Sequence, residues 1–351
     1  MMLLSRITYT CAARHIVPTH FRECRCHDSP SGIIPPMRKG LLLYNPAAGR
    51  YPVRRFVRGI IHPLKTAGWS MEIAETLSGT HATQTAHQAA AEKYDAVFAI
   101  GGDGTVGQVA SGLVNTETAL AVLPAGTTNV WAIEQGQKPF SWFNWPALRE
   151  NAQLLANVEP QLVDVGMCND QPFLLWAGVG LDAQAISKTE PRHRFFKHIS
   201  VPHFFATTVW EATFWHGLDL RVWTDGQLVE GHYLVAVATN IRHYAGGLSL
   251  LSPDALLDDN EMDMWLLSGN NVADALRHFF DLVAGRHLTS DQARRLPFHN
   301  ARVESDAAFS IQVDGDPALG GHHADITIKH RALKILMPKD AYYLLKNPNK
   351  K

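Results

Sequence analysis

The residues best placed to do chemistry lie in one short run: Gly101, Gly102, Asp103, Gly104 and Thr105. The glycines let the backbone turn tightly and approach a ligand with no Cβ in the way. The turn feeds a helical pattern in which Val106, Val109, Ala110, Leu113 and Val114 recur at three- and four-residue spacing. Thr105 and Gln108 stand at capping-box spacing for the start of that helix. A glycine turn that opens a helix presents free N–H groups and the positive end of a dipole, which suits phosphate. Asp103 is the odd member, because a carboxylate beside a phosphate is repelled unless a metal or a transferred proton lies between them. That combination points to phosphoryl transfer rather than passive phosphate binding.

Other readings compete for the same residues. The glycines could be plain turn formers with Asp103 as a helix-start residue. Gly102, Gly104 and Gly107 also fit the G-x-G-x-x-G dinucleotide fingerprint. That fingerprint normally sits on the first strand of its unit, whereas an earlier strand precedes this one. The next apolar run, Ala119 to Leu123, ends in Pro124 with no acidic residue for a ribose. A Walker A loop is excluded, since no Gly-Lys-Ser/Thr follows. A second small-residue loop, Gly126, Thr127, Thr128 and Asn129, can bring hydroxyl and amide donors to a phosphate or ribose, or can simply cap a helix starting at Val130.

These loops need strands and helices to hold them. Ala96 to Ile100 is a short apolar run without helical period, the pattern of a buried parallel strand. Gly40 to Tyr44 is another, ending in Asn45, Pro46 and Gly49, a turn by chemistry alone. Val53, Phe56, Val57, Ile60, Ile61 and Leu64 predict an amphipathic helix kinked near Pro63 and closed by Gly68. Trp69, Met71 and Ile73 alternate as a strand that delivers Thr76, and an alanine-rich helix over roughly 81–93 leads back to the central strand. Strands alternating with helices at this spacing predict right-handed crossovers and a parallel sheet, with Asn45, Asp103 and Thr127 at the C-terminal strand ends.

From about residue 158 the pattern turns to short β runs with turns, an antiparallel second domain. Leu218 to Trp223 alternates before Thr224, Asp225, Gly226 and Gln227, a hairpin signal. Val272, Ala275, Leu276, Phe279, Phe280 and Val283 predict one helix with an apolar face. Residues 191–216 mix Arg192, Arg194 and Lys197 with Phe195, Phe196, Phe204, Phe205, Trp210, Phe214 and Trp215. They read either as a basic-aromatic lip for a membrane interface or as a core helix with Phe205, Val209 and Ala212 inward.

Composition bounds the answer. A chain of 351 residues suggests about two domains. A formal net charge of −1 gives no global pull toward nucleic acid or anionic membrane. No apolar run is long enough to span a bilayer. Cys11, Cys24, Cys26 and Cys168 form no disulfide framework, so a reducing cytoplasm is the expectation. Residues 1–36 hold several arginines, three of those cysteines and little periodicity; they read as a disordered or mis-started extension ahead of Met37, with a transit peptide as the alternative. Cys24, Cys26 and His27 lack a second ligand pair for a metal.

With its neighbours, the GGDGT run resembles the signature loop of the diacylglycerol kinase and sphingosine kinase catalytic family, shared in part by NAD kinases. Further matches follow in order: Asn45-Pro46 with Gly49, Pro124 with Gly126, Thr127 and Asn129, Gly178 and Gly180 with Asp182 and Ala183, Leu257-Asp258-Asp259, and Val313-Asp314-Gly315-Asp316. They cover roughly residues 38–340. The resemblance implies an α/β N-terminal domain with a parallel sheet, residues 38–157 completed by 332–351, and an antiparallel β-rich C-terminal β-sandwich, residues 158–331, for the lipid. It implies ATP-dependent transfer of a γ-phosphoryl group to a lipid hydroxyl, diacylglycerol-like, in phospholipid metabolism, with Mg²⁺. Partners would be the lipid substrate and a membrane surface touched peripherally from the cytoplasm, with no nucleic acid; a homodimer is compatible. Nucleotide contacts would come from Asn45, Gly49, Thr76, Gly101, Gly102, Gly104, Thr105, Gly126, Thr127 and Asn129. Asp103 would hold the Mg²⁺–ATP geometry or assist deprotonation. Asp316 stands where a glutamate is proposed as proton acceptor. Asp259, with main-chain oxygens near Leu256 and Glu261, matches a structural Mg²⁺ position. The chain departs from the family at Gly107 and Gln108 (Asn-Glu), at Asn260 (Gly) and at Asp316 (Glu). An NAD kinase-like enzyme and a non-catalytic nucleotide- or lipid-binding module of the same fold are the alternatives.

Overall fold

Runs of apolar residues without alternation need cover on both faces. In the computed structural model, which describes residues 37–46, 53–141, 143–189 and 210–349, the N-terminal runs have it. Strands β1 (Arg38–Tyr44), β2 (Trp69–Glu75), β3 (Ala96–Gly101) and β4 (Ala119–Pro124) are parallel, in the order β4-β3-β1-β2. Helices α1 (Val57–Thr66) and α5 (Ala147–Leu155) bury Ile60, Leu64, Leu148 and Ala152 against Leu42, Phe98 and Ala121. On the other face α2 (Gly79–Ala91) and α3 (Asp103–Leu113) bury Ala82, Ala86, Val109 and Leu113 against Leu41, Val97 and Leu120. Short α4 (Val130–Glu134) follows β4.

Two local expectations fail here. The first turn of the helix expected from Val53 is a separate 3-10 turn, Val53–Arg55, and the α-helix starts at Val57 with Pro63 inside it. Helix α3 starts at Asp103, two residues before Thr105, with extended Gly102 as its N-cap and Val106 N–H donating to Gly102 O. The Thr105–Gln108 capping box therefore does not form. Thr105 Oγ1 instead accepts from Asn45 Nδ2 at 3.3 Å. Gln108 lies over the first residue of α2, where a Cβ on Gly79 would meet its amide at 2.5 Å.

The second half is antiparallel: β5 (Gln161–Cys168), β6 (Gln171–Phe173), β7 (Trp176–Gly180), helix α6 (Leu181–Thr189), β8 (Leu218–Thr224), β9 (Gln227–Thr239), the small pair β10 (His243–Tyr244) and β11 (Ser249–Leu250), β12 (Met262–Ser268), helix α7 (Val272–Val283), β13 (Ala293–Phe298), β14 (Asn300–Val313) and β15 (Asp316–Leu336). Asp225 and Gly226 both take positive φ, 48° and 84°, the backbone of the tight hairpin expected between β8 and β9. A core of its own includes Ala177, Val222, Ala236, Met264, Val303 and Ile311. Strand β15 joins the two halves. Its start pairs antiparallel with β14, its middle with β5, and its end runs parallel to β4 through Ile335 and Leu336.

Helix α7 forms where expected, with Val272, Ala275, Leu276 and Phe279 of its apolar stripe half-buried. Its buried side chains are His278, Asp281 and Leu282, while Phe280 and Val283 of the apolar stripe are 57% and 51% exposed. The inward polar groups are satisfied: His278 Nε2 bonds Ser268 O at 2.7 Å, and Asp281 takes Arg286 Nε at 2.9 Å with Arg277 at 3.5 Å. Of the basic-aromatic stretch, residues 190–209 lie outside the described residues. Trp210 and Phe214 are exposed and in edge-to-face contact, and Ala212 is buried. Residues 1–36 also lie outside the described residues. Among the described residues no helix is long and apolar enough to cross a membrane.

Candidate functional site

Three loops leave the C-terminal ends of adjacent parallel strands and meet one another. Asn45 follows β1, the glycine run ends β3, and Ala125 to Asn129 follow β4. The second and third loops are in backbone contact: Ala125 and Gly126 both donate to Gly101 O, at 2.9 and 3.1 Å. A Cβ on Gly126 would lie 2.2 Å from Gly102 Cα, and one on Gly102 would lie 3.1 Å from Gly126 Cα. Glycine at 126 is thus demanded by the approach of one loop to the other, and a side chain at 102 would be tight. Gly101 has a similar reason, since its Cβ would strike the Thr105 side chain at 2.6 Å. Gly104 differs. The nearest atom to a Cβ there is Asp316 Oδ2, at 3.8 Å, so this glycine opens onto the space between the first turn of α3 and the Asp316 carboxylate.

Asp103 is held by the third loop. Thr128 Oγ1 donates to its Oδ2 at 2.9 Å and Trp131 N–H to its Oδ1 at 3.1 Å. Its carboxylate thereby ties the start of α3 to the start of α4, and the leading N–H groups of α3 have no partner within the helix. Asn129 does not cap α4 by its side chain. It sits in the left-handed region (φ 55°) and clasps its own loop, accepting from Gly126 N–H at 2.7 Å and donating to Gly126 O at 2.9 Å.

Opposite α3, β14 passes into β15 through a two-residue turn, Asp314 and Gly315, with φ 52° and 83°. Asp314 was visible in the sequence only as part of a motif, yet it anchors this turn. Its carboxylate accepts the N–H groups of Leu174, Leu175 and Trp176 at 2.9, 2.8 and 3.2 Å. Burial pushes its pKa up to about 7, with the Asp103 charge adding to the rise and the three N–H groups opposing it. Gly107 makes room for it, since a Cβ there would stand 3.3 Å from Asp314 Oδ2. That gives the departure at residue 107 a steric meaning. Asp316 follows the turn and is exposed.

Two further clusters join residues distant in the sequence, of which only Asp182 belongs to a matched motif. Buried Asp182 accepts from Ala183 N–H at 2.7 Å, Gln312 Nε2 at 3.1 Å and Tyr244 Oη at 3.2 Å, and burial pushes its pKa up to about 6. Glu134, at the end of α4, is fully buried yet paired with Arg242 Nε at 2.7 Å and His243 Nδ1 at 2.6 Å. The pairing holds its pKa below the ordinary value against the opposing effect of burial, and it locks α4 to the second half of the chain.

The remaining expected residues are spread. Thr76 is buried at the end of β2, its N–H donating to Tyr44 O at 2.9 Å, one strand away from Asn45. Gly49 lies outside the described residues. Leu256, Asp259 and Glu261 lie together on a loop before β12, apart from the glycine loops in sequence and in strand order. Asp259 Oδ1 accepts Glu261 N–H at 3.2 Å; burial raises its pKa, and the charges of Glu261 and Asp164 add to the rise. Asn260 takes the left-handed backbone (φ 65°) where the family has glycine, and its N–H donates to buried Asp164 at 2.6 Å. Among the described residues no group of three or more His, Cys, Asp or Glu side chains converges as a metal cage.

Comparison with known proteins matches this architecture. Residues 39–168 fit the diacylglycerol kinase catalytic domain and residues 176–337 the YegS C-terminal NAD kinase beta sandwich-like domain. The chain is 24% identical to a diacylglycerol kinase of Bacillus subtilis, over 87% of this chain and 98% of that one. It is 29% identical to a Pseudomonas putida protein named "Probable lipid kinase YegS-like", over 80% and 89%. The fold matches a crystal structure of a diacylglycerol kinase from Bacillus anthracis with a TM-score of 0.66 at 20% identity, covering 87% of this chain and 98% of that one. An Archaeoglobus fulgidus NAD kinase in complex with ATP is similar at a TM-score of 0.50 and 11% identity, over 87% and 95%.

Proposed function

The chain belongs to the diacylglycerol kinase catalytic-domain family, and from that premise we propose that it is an ATP-dependent lipid kinase acting on a diacylglycerol-like hydroxyl. One observation carries the mechanism: the Asp316 carboxylate faces the first turn of α3 across the gap that Gly104 leaves open. Free N–H groups of α3, with Thr105 and Thr127 beside them, would cradle the phosphates. Asn45 and the Gly126 loop would complete the cradle. Asp103 would keep the loops in register through Thr128 and Trp131. Asp316 would take the proton of the acceptor hydroxyl as its oxygen bonds the γ-phosphorus and the bond to ADP breaks. Magnesium bound with the nucleotide would neutralise charge on the phosphates. Asp259, with main-chain oxygens of Leu256 and Glu261, would hold a second, structural Mg²⁺; a half-buried carboxylate among like charges is a site that a hard cation relieves.

The acceptor would be met at a membrane surface, from the cytoplasm. Exposed Phe280 and Val283 of α7, with exposed Trp210 and Phe214, support contact with such a surface. The test is phosphate transfer from labelled ATP to diacylglycerol, sphingosine, ceramide, phosphatidylglycerol and NAD. A labelled lipid is expected, with Asp316→Asn slowing it roughly 10²–10⁴-fold at unchanged ATP affinity, the range for general acid–base catalysis. Transfer to NAD alone would make the chain an NAD kinase. ATP binding without transfer to any acceptor would make it a binding module.

A further inference from the structure

The turn that carries Asp316 is held from two sides, and only one of them is Asp314. Gln312, two residues before the turn on β14, is completely buried. Its amide therefore has to satisfy both ends within the protein. Its Oε1 accepts the Gly315 N–H at 3.0 Å and its Nε2 donates to Asp182 Oδ2 at 3.1 Å. The amide has one workable orientation: turned over, its NH₂ would face the Gly315 N–H and its oxygen would face the Asp182 carboxylate.

The groups around Asp182 leave little slack. From β10 the Tyr244 hydroxyl donates to the same Oδ2, and from its own helix Ala183 N–H donates to Oδ1. From β7 the backbone of Gly178 presses on the pair, where a Cβ would come within 2.3 Å of Asp182 Oδ2 and 2.6 Å of Gln312 Nε2. The pair is wedged between strands.

We propose that Gln312 is a positioning residue for phosphoryl transfer, fixing the Asp314–Gly315 turn, and with it Asp316, to the buried Asp182–Tyr244 pair. This rests on the reading of Asp316 as proton acceptor. Without the amide the Gly315 N–H loses its acceptor, and the Gly315 end of the turn is freed while the Asp314 end stays tied through its carboxylate and its N–H on Trp176 O. A misplacement of about 1 Å in a reacting group costs roughly 10²-fold.

The test is Gln312→Glu, which keeps the shape and the acceptor for Gly315 but lacks the donor to Asp182 unless it binds a proton. Two carboxylates at this distance share one proton, and the pair takes it up at a raised pH. At pH 8 kcat should fall about 10²-fold with the KM for ATP nearly unchanged. Between pH 8 and 6 the ratio of variant to wild-type kcat should rise about tenfold as the shared proton restores the bond. Gln312→Met should be slow at every pH, and the Gly315 N–H should exchange with solvent far faster in it than in wild type. The proposal is overturned by wild-type kcat in either folded variant, by a ratio flat with pH, or by loss confined to the KM for ATP. If Gln312→Glu does not fold, Gln312→Met decides, by kcat and by exchange at Gly315. Wild-type protein with a protected Gly315 N–H but no turnover on any acceptor would refute the kinase reading and leave the tie itself intact.

Discussion

Gly126→Ala is the sharpest test of how the glycine loops work. The added Cβ would lie 2.2 Å from Gly102 Cα and 2.9 Å from Gly102 N, both backbone atoms that cannot rotate away. Carbon atoms settle at about 3.5–4.0 Å, so the two loops must part by roughly 1.5 Å. Overpacking of this kind costs about 1–3 kcal/mol in stability, too little to unfold a domain with two covered sheet faces. The same displacement moves the third loop away from the start of α3, and about 1 Å of misplacement costs roughly 10²-fold in rate. Stopped-time transfer from labelled ATP to a lipid acceptor should therefore lose at least that factor, while the thermal transition falls by only a few degrees. Gly102→Ala approaches the same contact from the other side, where the Cβ would stand at 3.1 Å from Gly126 Cα. It needs only a few tenths of an ångström and should lose clearly less. Wild-type kinetics in a folded Gly126→Ala protein, or Gly102→Ala as the more damaging change, would refute the loop-contact argument.

Stability should fall as pH rises from about 4 to about 7, because Asp314 and Asp182 have raised folded-state pKa values, about 7 and about 6, and their anions are less favourable buried than in the unfolded chain. Thermal melts across that window check the sign, and Asp314→Asn should flatten the slope, lowering stability near pH 4 by on the order of 1–3 kcal/mol, since one of the N–H groups of residues 174–176 then meets an NH₂, and closing that gap toward pH 7, where wild type loses its buried proton. A slope that is unchanged in Asp314→Asn would remove that residue from the account. Serine at Phe280 and Val283 should weaken co-sedimentation with lipid vesicles and slow turnover on vesicles more than on a short-chain soluble acceptor; equal slowing on both would assign the α7 stripe to folding instead.

Much of the N-terminal half was legible in the chain. Apolar runs, a glycine turn and a 3.6-residue pattern are local features, and they put Asn45, Asp103 and Gly126 at neighbouring strand ends. The hairpin at Asp225 and Gly226 was equally local. The Asp182–Tyr244–Gln312 cluster was not, because Tyr244 and Gln312 lie 62 and 130 positions from Asp182, and only Asp182 belongs to a motif. Glu134 with Arg242 and His243 is the same case at 108 and 109. Periodicity told which residues of α7 share a face but not how deeply each is covered; His278 and Asp281 can be buried because Ser268 O and two arginines satisfy them. The capping box failed because the helix starts two residues earlier, at Asp103, which leaves Thr105 inside the first turn with its hydroxyl accepting from Asn45, sixty residues away.

Strand β15 sets a timetable for synthesis. The edge of β4 that faces away from β3 is closed by Ile335 and Leu336, which the ribosome delivers about 200 residues after β4 itself. At 5–20 residues per second the nascent N-terminal half waits on the order of 10–40 s with an apolar strand edge open. Such an edge is a template for pairing with another chain. The N-terminal half is therefore complete in sequence long before it is complete as a sheet, and truncation anywhere before residue 335 leaves it permanently in that exposed condition. The last strand made is the one that finishes the first domain begun.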